Sequence, residues 1–253
     1  MSDRARIASV HRAMQSAPAV DAFNRDAKAN AGYLYANNAR LSSGLATRRI
    51  TDAVLASADY RGKRVLDVGC GDGTYTRELF EEGGLASIHG VDHAAEAIEI
   101  ARSRAGADTV TYEVCSAESL AAANDSFDIA HLRGVLHHLD SPIKALSEAM
   151  RVAPRVVVTE PNGYNPILKG LERFSRYHIE HHERSFFPAT LRAWARDLGG
   201  KVSGPRYIGL VPFFCPDAFA RVLKAAEPLV EHTPLRSVSC GTYVFVIDRI
   251  PSR

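Results

Sequence analysis

Between residues 64 and 160 the chain alternates between two textures. Short β-branched runs occur at RVLDV (64–68), SIHGVD (87–92), TVTYEV (109–114), FDIAHL (127–132) and RVVVTE (155–160). Helical patterns lie between them at 74–82, 94–105 and 141–151, with a fragmentary turn near 117–123. Strand–helix alternation of this kind predicts a parallel sheet covered on both faces. Right-handed crossovers carry every strand's C-terminal end to one edge. Ligands bind along that edge, where strand order reverses.

The flanks read differently. Residues 1–60 hold no strand pattern; Leu41, Leu45, Ile50, Val54 and Leu55 recur at helical spacing. Two or three helices are expected there, broken at Gly32–Tyr35. They would form a helical cap ahead of a core domain at 61–253. Residues 161–187 interrupt the alternation with prolines, aromatics and histidines. Insertions of that length are often lids or binding loops. Beyond them, helices are expected at 188–199 and 216–231 and strands at 201–208 and 240–248. No internal repeat is visible.

Composition narrows the class. A length of 253 residues and a 46% apolar share suit one large α/β domain with an appended cap. The net charge of +2 carries no long basic run, which disfavours nucleic acid as a partner. Cys70, Cys115, Cys215 and Cys240 lie far apart and form no CxxC pair, which fits a reducing cytoplasm. No apolar stretch approaches the roughly 20 residues of a membrane helix. The N-terminus lacks a signal-peptide core; being mildly basic and amphipathic, it also admits a transit peptide.

The stretch VLDVGCGDG (65–73) sits where the first strand turns into the first helix. Gly69, Gly71 and Gly73 permit positive φ and close approach of a ligand. Two ligand classes compete for such a turn. A dinucleotide would lay its pyrophosphate on the helix N-terminus. Here Asp67 and Asp72 flank that place, and a carboxylate within about 4 Å of a phosphate opposes it by roughly 4 kcal/mol at an effective dielectric near 20. Position 74 is Thr, so the GxGxxG spacing also fails. A cationic nucleoside reverses the sign, and S-adenosylmethionine (SAM) is one. Asp92, closing the second strand, is placed to accept ribose hydroxyls or to cap the next helix.

The blocks VLDVGCGDGTYTREL, GVDHAAEAIEIAR, SAESL, SFDIAHLRGVLHHLDSPIKALSEAMRV and VVVTEPN occur in order over about residues 60–163. Together they resemble the class I SAM-dependent methyltransferases, in the branch with an LHHL segment after strand four. The resemblance implies a Rossmann-like, seven-stranded, mostly parallel sheet with an antiparallel last strand, for which CGTYVFVID is the candidate. It implies that Asp67, Gly69, Cys70 and Gly71 surround the methionine portion of SAM, that Asp92 binds the ribose, and that His93, Ala117 and Glu118 lie near the adenine. Ser116 stands where the family commonly has Asp. VAPRVVV replaces the usual Pro-Gly-Gly turn before strand five.

The methyl-transfer end is less defined. His137 and His138 are candidate bases, and adjacent residues point about 100° apart on a helix, so one at most should face a ligand. Arg133 is a candidate for the SAM carboxylate or an anionic acceptor group. Glu160 and Asn162, closing strand five, are candidates for substrate. In YHIEHHERSFF (177–187), His178 and His182 are further candidate bases, and Tyr177 and His181 candidate substrate contacts. HExxH is absent and no metal is expected. Tyr33 and Tyr35 are placed to pack on SAM or substrate, or simply between helices. The expectation is a cytoplasmic enzyme methylating an O or N atom of a small molecule, with S-adenosylhomocysteine as product and specialised metabolism as its setting. A lipid or quinone acceptor, a tRNA or protein acceptor, and a non-catalytic SAM-binding role remain as alternatives.

Overall fold

The computed structural model describes residues 40–174 and 184–250. Its elements run α1 (Leu41–Leu55), β1 (Arg64–Val68), α2 (Thr74–Gly83), β2 (Ser87–Asp92), α3 (Ala95–Ser103), β3 (Val110–Val114), β4 (Ile129–Arg133), a 3-10 turn (Leu136–His138), α4 (Pro142–Val152) and β5 (Arg155–Pro161). There follow α5 (Pro166–Phe174), α6 (Pro188–Asp197), β6 (Gly200–Ile208), α7 (Asp217–Glu231), α8 (Arg236–Ser239) and β7 (Thr242–Arg249). The seven strands form one sheet in the order β3-β2-β1-β4-β5-β7-β6. Strands β1 to β5 are parallel; β7 runs antiparallel to both β5 and β6. This is the doubly wound architecture the alternation predicts, and strand order reverses between β1 and β4.

Side-chain alternation along each strand divides the core between two faces. Leu66, Val68, Ala130, Leu132, Val156 and Val158 pack with Leu146 and Met150 of α4 and Leu191 of α6. Val65, Ile129, Val157, Val244 and Val246 pack on the other face with Ile50 and Val54 of α1, Leu79 of α2 and Ile98 of α3. Both faces are apolar, so β1, β4 and β5 read as near-continuous hydrophobic runs.

Helix α1 packs on the second of these faces. Its Ile50, Ala53 and Val54 are buried in the second core cluster, and Ser42 and Ser43 both donate to Phe213 O at 2.8 Å. Residues 41–55 so form a layer over the sheet. The 161–187 stretch also holds more order than a loop: α5 begins at Pro166, with Asn165 Oδ1 accepting from Ile167 N at 2.9 Å and Leu168 N at 3.3 Å. That is an Asn cap followed by Pro at the first helical position. Strand β6 carries an irregularity between Ser203 and Arg206, where Gly204 takes φ 57° and Pro205 offers no N–H to the ladder. No helix among the described residues is long and apolar enough to cross a membrane.

Candidate functional site

The strand ends on either side of the β1/β4 reversal define the site. After β1 the chain makes a tight turn in which Gly69 N and Cys70 N both donate to Val91 O, at 2.7 and 3.0 Å. Gly69, Gly71 and Gly73 take φ of 73°, 55° and 74°, the region that favours glycine. Two of these glycines serve packing. A Cβ on Gly69 would collide with the side chain of Val135, and one on Gly73 would lie 2.6 Å from the Tyr112 hydroxyl. The turn is thereby pressed between the loop after β4 and the β3 wall.

Three carboxylates surround it, each already engaged. Asp92 accepts from Gly71 N at 2.9 Å and Ala94 N at 2.8 Å, so it joins the turn to the start of α3. Burial pushes the Asp92 carboxyl up from its ordinary value, against the pull of these two N–H groups. Asp67 is buried; its Oδ2 accepts from the Thr76 hydroxyl at 2.6 Å and its Oδ1 lies 3.0 Å from His131 Nδ1. Asp72 accepts from Thr74 N at 3.1 Å and lies 3.4 Å from the Arg104 guanidinium. Arg104 offsets part of the negative field that the sequence alone assigns to Asp72. Cys70 is buried among these groups, and burial together with Asp92 and Asp67 holds its thiol well above the usual range.

Beyond β3, Ala117 is buried and Glu118 accepts from Ser141 N at 2.9 Å, fastening the loop to the start of α4. The Ser116 hydroxyl accepts from Glu118 N at 3.2 Å and so shapes its own turn. His93 is half-buried directly after Asp92.

Three of the candidate residues, Arg133, Glu160 and Asn162, have partners within the protein. The Arg133 guanidinium donates to Thr51 Oγ1 at 2.9 Å and Thr47 O at 3.2 Å, both on α1, and stacks 3.8 Å over the Tyr75 ring. Desolvation lowers its affinity for the proton. Glu160 is fully buried, where Oε1 accepts from Val135 N and Leu136 N at 2.9 and 2.8 Å and Oε2 meets His137 Nδ1 at 2.8 Å. It therefore builds the turn after β4. Asn162, also fully buried, donates to Ser237 O and Cys240 O, both at 2.9 Å, and accepts from Tyr164 N at 3.1 Å. Glu160 and Asn162 thus find hydrogen-bond partners inside the protein.

His137 and His138 stand with ring centroids 3.9 Å apart. His137 is buried against Glu160, whereas His138 is half-buried. Tyr33, Tyr35, Tyr177, His178, His181 and His182 lie outside the described residues. The residues that sequence reasoning missed are His131 and Thr76. A histidine in the otherwise apolar IAHL run, opposite Asp67 in the adjoining strand, was the available signal.

The turn's chemistry suits a cationic nucleoside. Asp67, Asp72, Asp92 and Glu118 lie at the β1–β3 ends, with Arg104 set against Asp72. A doubly wound sheet with a glycine turn and an acidic residue closing β2 defines the class of nucleoside-cofactor-binding α/β proteins. Within it, residues 66–155 match the family model described as a methyltransferase domain. The chain is similar to the ubiquinone biosynthesis O-methyltransferase of Neisseria meningitidis serogroup C, 38% identical over 95 residues, which is 36% of this chain and 40% of that protein. It is 31% identical over 159 residues to the protein of the same name from Xanthomonas oryzae pv. oryzae, 58% of this chain and 66% of the relative. The chain thus spans between about two fifths and just under two thirds of the length of these relatives. Among solved structures, a chain of the complex between the Haloferax volcanii Trm112 methyltransferase activator and a methyltransferase superposes with a TM-score of 0.65 at 22% identity, over 86% of this chain and 96% of that one. Residues 66–155 thus match a methyltransferase domain, on a fold shared with solved SAM-dependent methyltransferases.

Proposed function

We propose that the protein transfers a methyl group from SAM to a hydroxyl oxygen on a lipophilic, quinol-like acceptor. The observation that carries this reading is the 31% identity to a ubiquinone biosynthesis O-methyltransferase, which runs over a stretch longer than the matched domain. Exposed apolar side chains agree with it: Ile167, Leu171 and Phe174 on α5, and Phe219, Val222 and Leu229 on α7. The start of α5 is bound beside β7 through Asn165, which donates to Ser239 O and Cys240 O. Exposed apolar side chains of this kind favour an acceptor that carries an apolar tail.

SAM supplies an electrophilic methyl group on a sulfonium. The protein's task is to hold the acceptor oxygen in line and exclude water. In this reading the Gly69–Gly73 turn, Asp67 and Asp92 hold the donor, and Cys70, His93, Ala117 and Glu118 border it. The buried Glu160–His137 pair fixes the turn that presents His138, and His138 takes the hydroxyl proton. The location is the cytoplasm, consistent with free Cys70, Cys115, Cys215 and Cys240. A small hydrophilic acceptor of specialised metabolism is the second reading, since the same donor site serves it.

The test is methyl transfer from labelled SAM to a panel of ring hydroxyls with and without an alkyl or prenyl tail. Transfer should rise with the tail, and His138→Asn should lower kcat by about a hundredfold with the donor KM unchanged. Transfer confined to amines, or indifferent to the tail, would defeat the proposal.

A further inference from the structure

Helix α7 is built inside out. The side turned to the protein carries Ala220, Glu227 and Glu231. Glu227 accepts from Leu210 N at 3.0 Å, and Glu231 accepts from Gly209 N at 2.9 Å and from Arg49 of α1 at 3.0 Å. These bonds dock the helix by its polar groups. Its outer side is apolar. Ala218, Val222, Ala225 and Leu229, spaced four, seven and eleven residues along, share one helical face. All four are exposed, Val222 by 65% and Leu229 by 73%. Packing of an apolar stripe is what ordinarily holds a surface helix in place; here carboxylates take the inner position and the stripe faces out.

The pattern continues on the neighbouring helices. Leu235 and Val238 are exposed on α8, as are Ile167, Leu171 and Phe174 on α5, where a spacing of four and seven puts them on one face. Asn162 and Asn165, just ahead of α5, donate to Ser237 O and Ser239 O of α8, so these two helices adjoin. Scattered apolar side chains on a surface are ordinary, but stripes aligned on three adjoining helices mark an interaction surface. The charges beside them are mostly of one sign. Arg173 on α5, Arg221 on α7 and Arg236 on α8 are exposed and meet no carboxylate among the described residues. The carboxylates of the same helices are engaged elsewhere, Glu172 with Lys169 and Ser185, and Glu227 and Glu231 on the inner side. Asp217, at the start of α7, is the exception.

We propose that the outer faces of α7 and α8, continued by α5, dock on the surface of an anionic phospholipid membrane. Apolar stripes flanked by arginines suit helices that lie in the interfacial plane, with aliphatic side chains at the acyl boundary and guanidinium groups among the phosphates. The inference builds on the reading of a lipophilic acceptor: an enzyme lying on the bilayer meets a ring hydroxyl at the headgroup level while the acceptor's tail stays in the lipid.

The test is flotation of the full chain with vesicles of mixed phosphatidylglycerol and phosphatidylcholine, and with phosphatidylcholine alone, at low and high salt. The wild type should float with the anionic vesicles, and less so at high salt. Arg221→Gln and Arg236→Gln should each weaken binding by about fivefold. The double variant Val222→Glu, Leu229→Glu should weaken it by more than about tenfold. Circular dichroism of each variant confirms the fold, and the two arginine variants keep the test open if the double variant does not fold. Failure of the wild type to float with anionic vesicles, or flotation that none of these substitutions alters, would overturn the inference. So would light scattering that shows a dimer dissolved by Val222→Glu, Leu229→Glu in a chain that does not float, because a second copy would then cover the face. Flotation is read without acceptor or methyl transfer, so its failure is told apart from failure of the acceptor reading, which the hydroxyl panel measures on its own.

Discussion

Asp92 shows how one side chain ties a turn to the helix that follows it. Its carboxylate accepts two backbone N–H groups, one from the glycine turn and one from the start of α3. A charged acceptor of this kind contributes about 1.5–3 kcal/mol per hydrogen bond. Replacing Asp92 with Ala should therefore lower the melting temperature and weaken SAM binding by more than about tenfold together, as read by thermal denaturation and calorimetry. Unchanged affinity would remove Asp92 from the donor site. The sequence made Asp92 conspicuous because an acid closes a strand after a glycine turn. It could not reveal the inward course of Arg133, Glu160 and Asn162. Each is a polar residue at a strand end on the functional edge, where a ligand and a neighbouring loop are equally available partners. Which one it meets depends on contacts with Thr51, Leu136 and Cys240, which are remote in sequence.

At the scale of elements, the glycine turn and the turn after β4 behave as one unit. Val135 occupies the space that a Cβ on Gly69 would need, and Val135 N is itself held by Glu160. Gly69→Ala should destabilise the protein by about 1–3 kcal/mol, from the clash and from the positive φ. Adding Val135→Ala should recover the clash but not the backbone strain, so the double variant should be more stable than the sum of the single losses. Denaturant titration of the three variants measures this coupling; strict additivity would deny it. Strands β1 to β5 were legible because β-branched runs alternate with helical spacing. Helix α5 was not, although Asn165-Pro166 is a helix-start signal, because the aromatics and histidines that follow dominate the reading of that stretch. The irregularity in β6 carries a local sign, Gly204-Pro205, that leaves the strand's existence legible and its pairing obscure.

For the whole molecule, acid stability follows from how its carboxylates are held. Arg151 keeps Glu148 below the ordinary carboxylate value, Arg48 does so for Glu82, and the Arg64 backbone N–H does so for Asp128. A carboxyl lowered in the folded state stabilises above its unfolded value and loses that contribution as pH falls through the folded one. Asp92, raised by burial, acts in the opposite direction and favours the folded state on acidification. Where the three lowered carboxyls govern, the melting temperature should fall as pH drops below about 4.5. Glu148→Gln should flatten part of that slope, because Glu148 and Arg151 also fasten Leu120 and Ala122 of the β3–β4 loop. Identical profiles for the variant and the wild type would rule out Glu148 as a contributor.

The sheet's strand order also bears on synthesis. Strand β7 lies between β5 and β6, although β6 comes off the ribosome first. Until Thr242–Arg249 have emerged, Gly200–Ile208 has no neighbour to lie against and the flank of β5 stays open. A nascent chain paused in that interval exposes two unpaired strands at once, so the delay before β7 arrives is when this protein is most open to capture by chaperones or by other copies of itself.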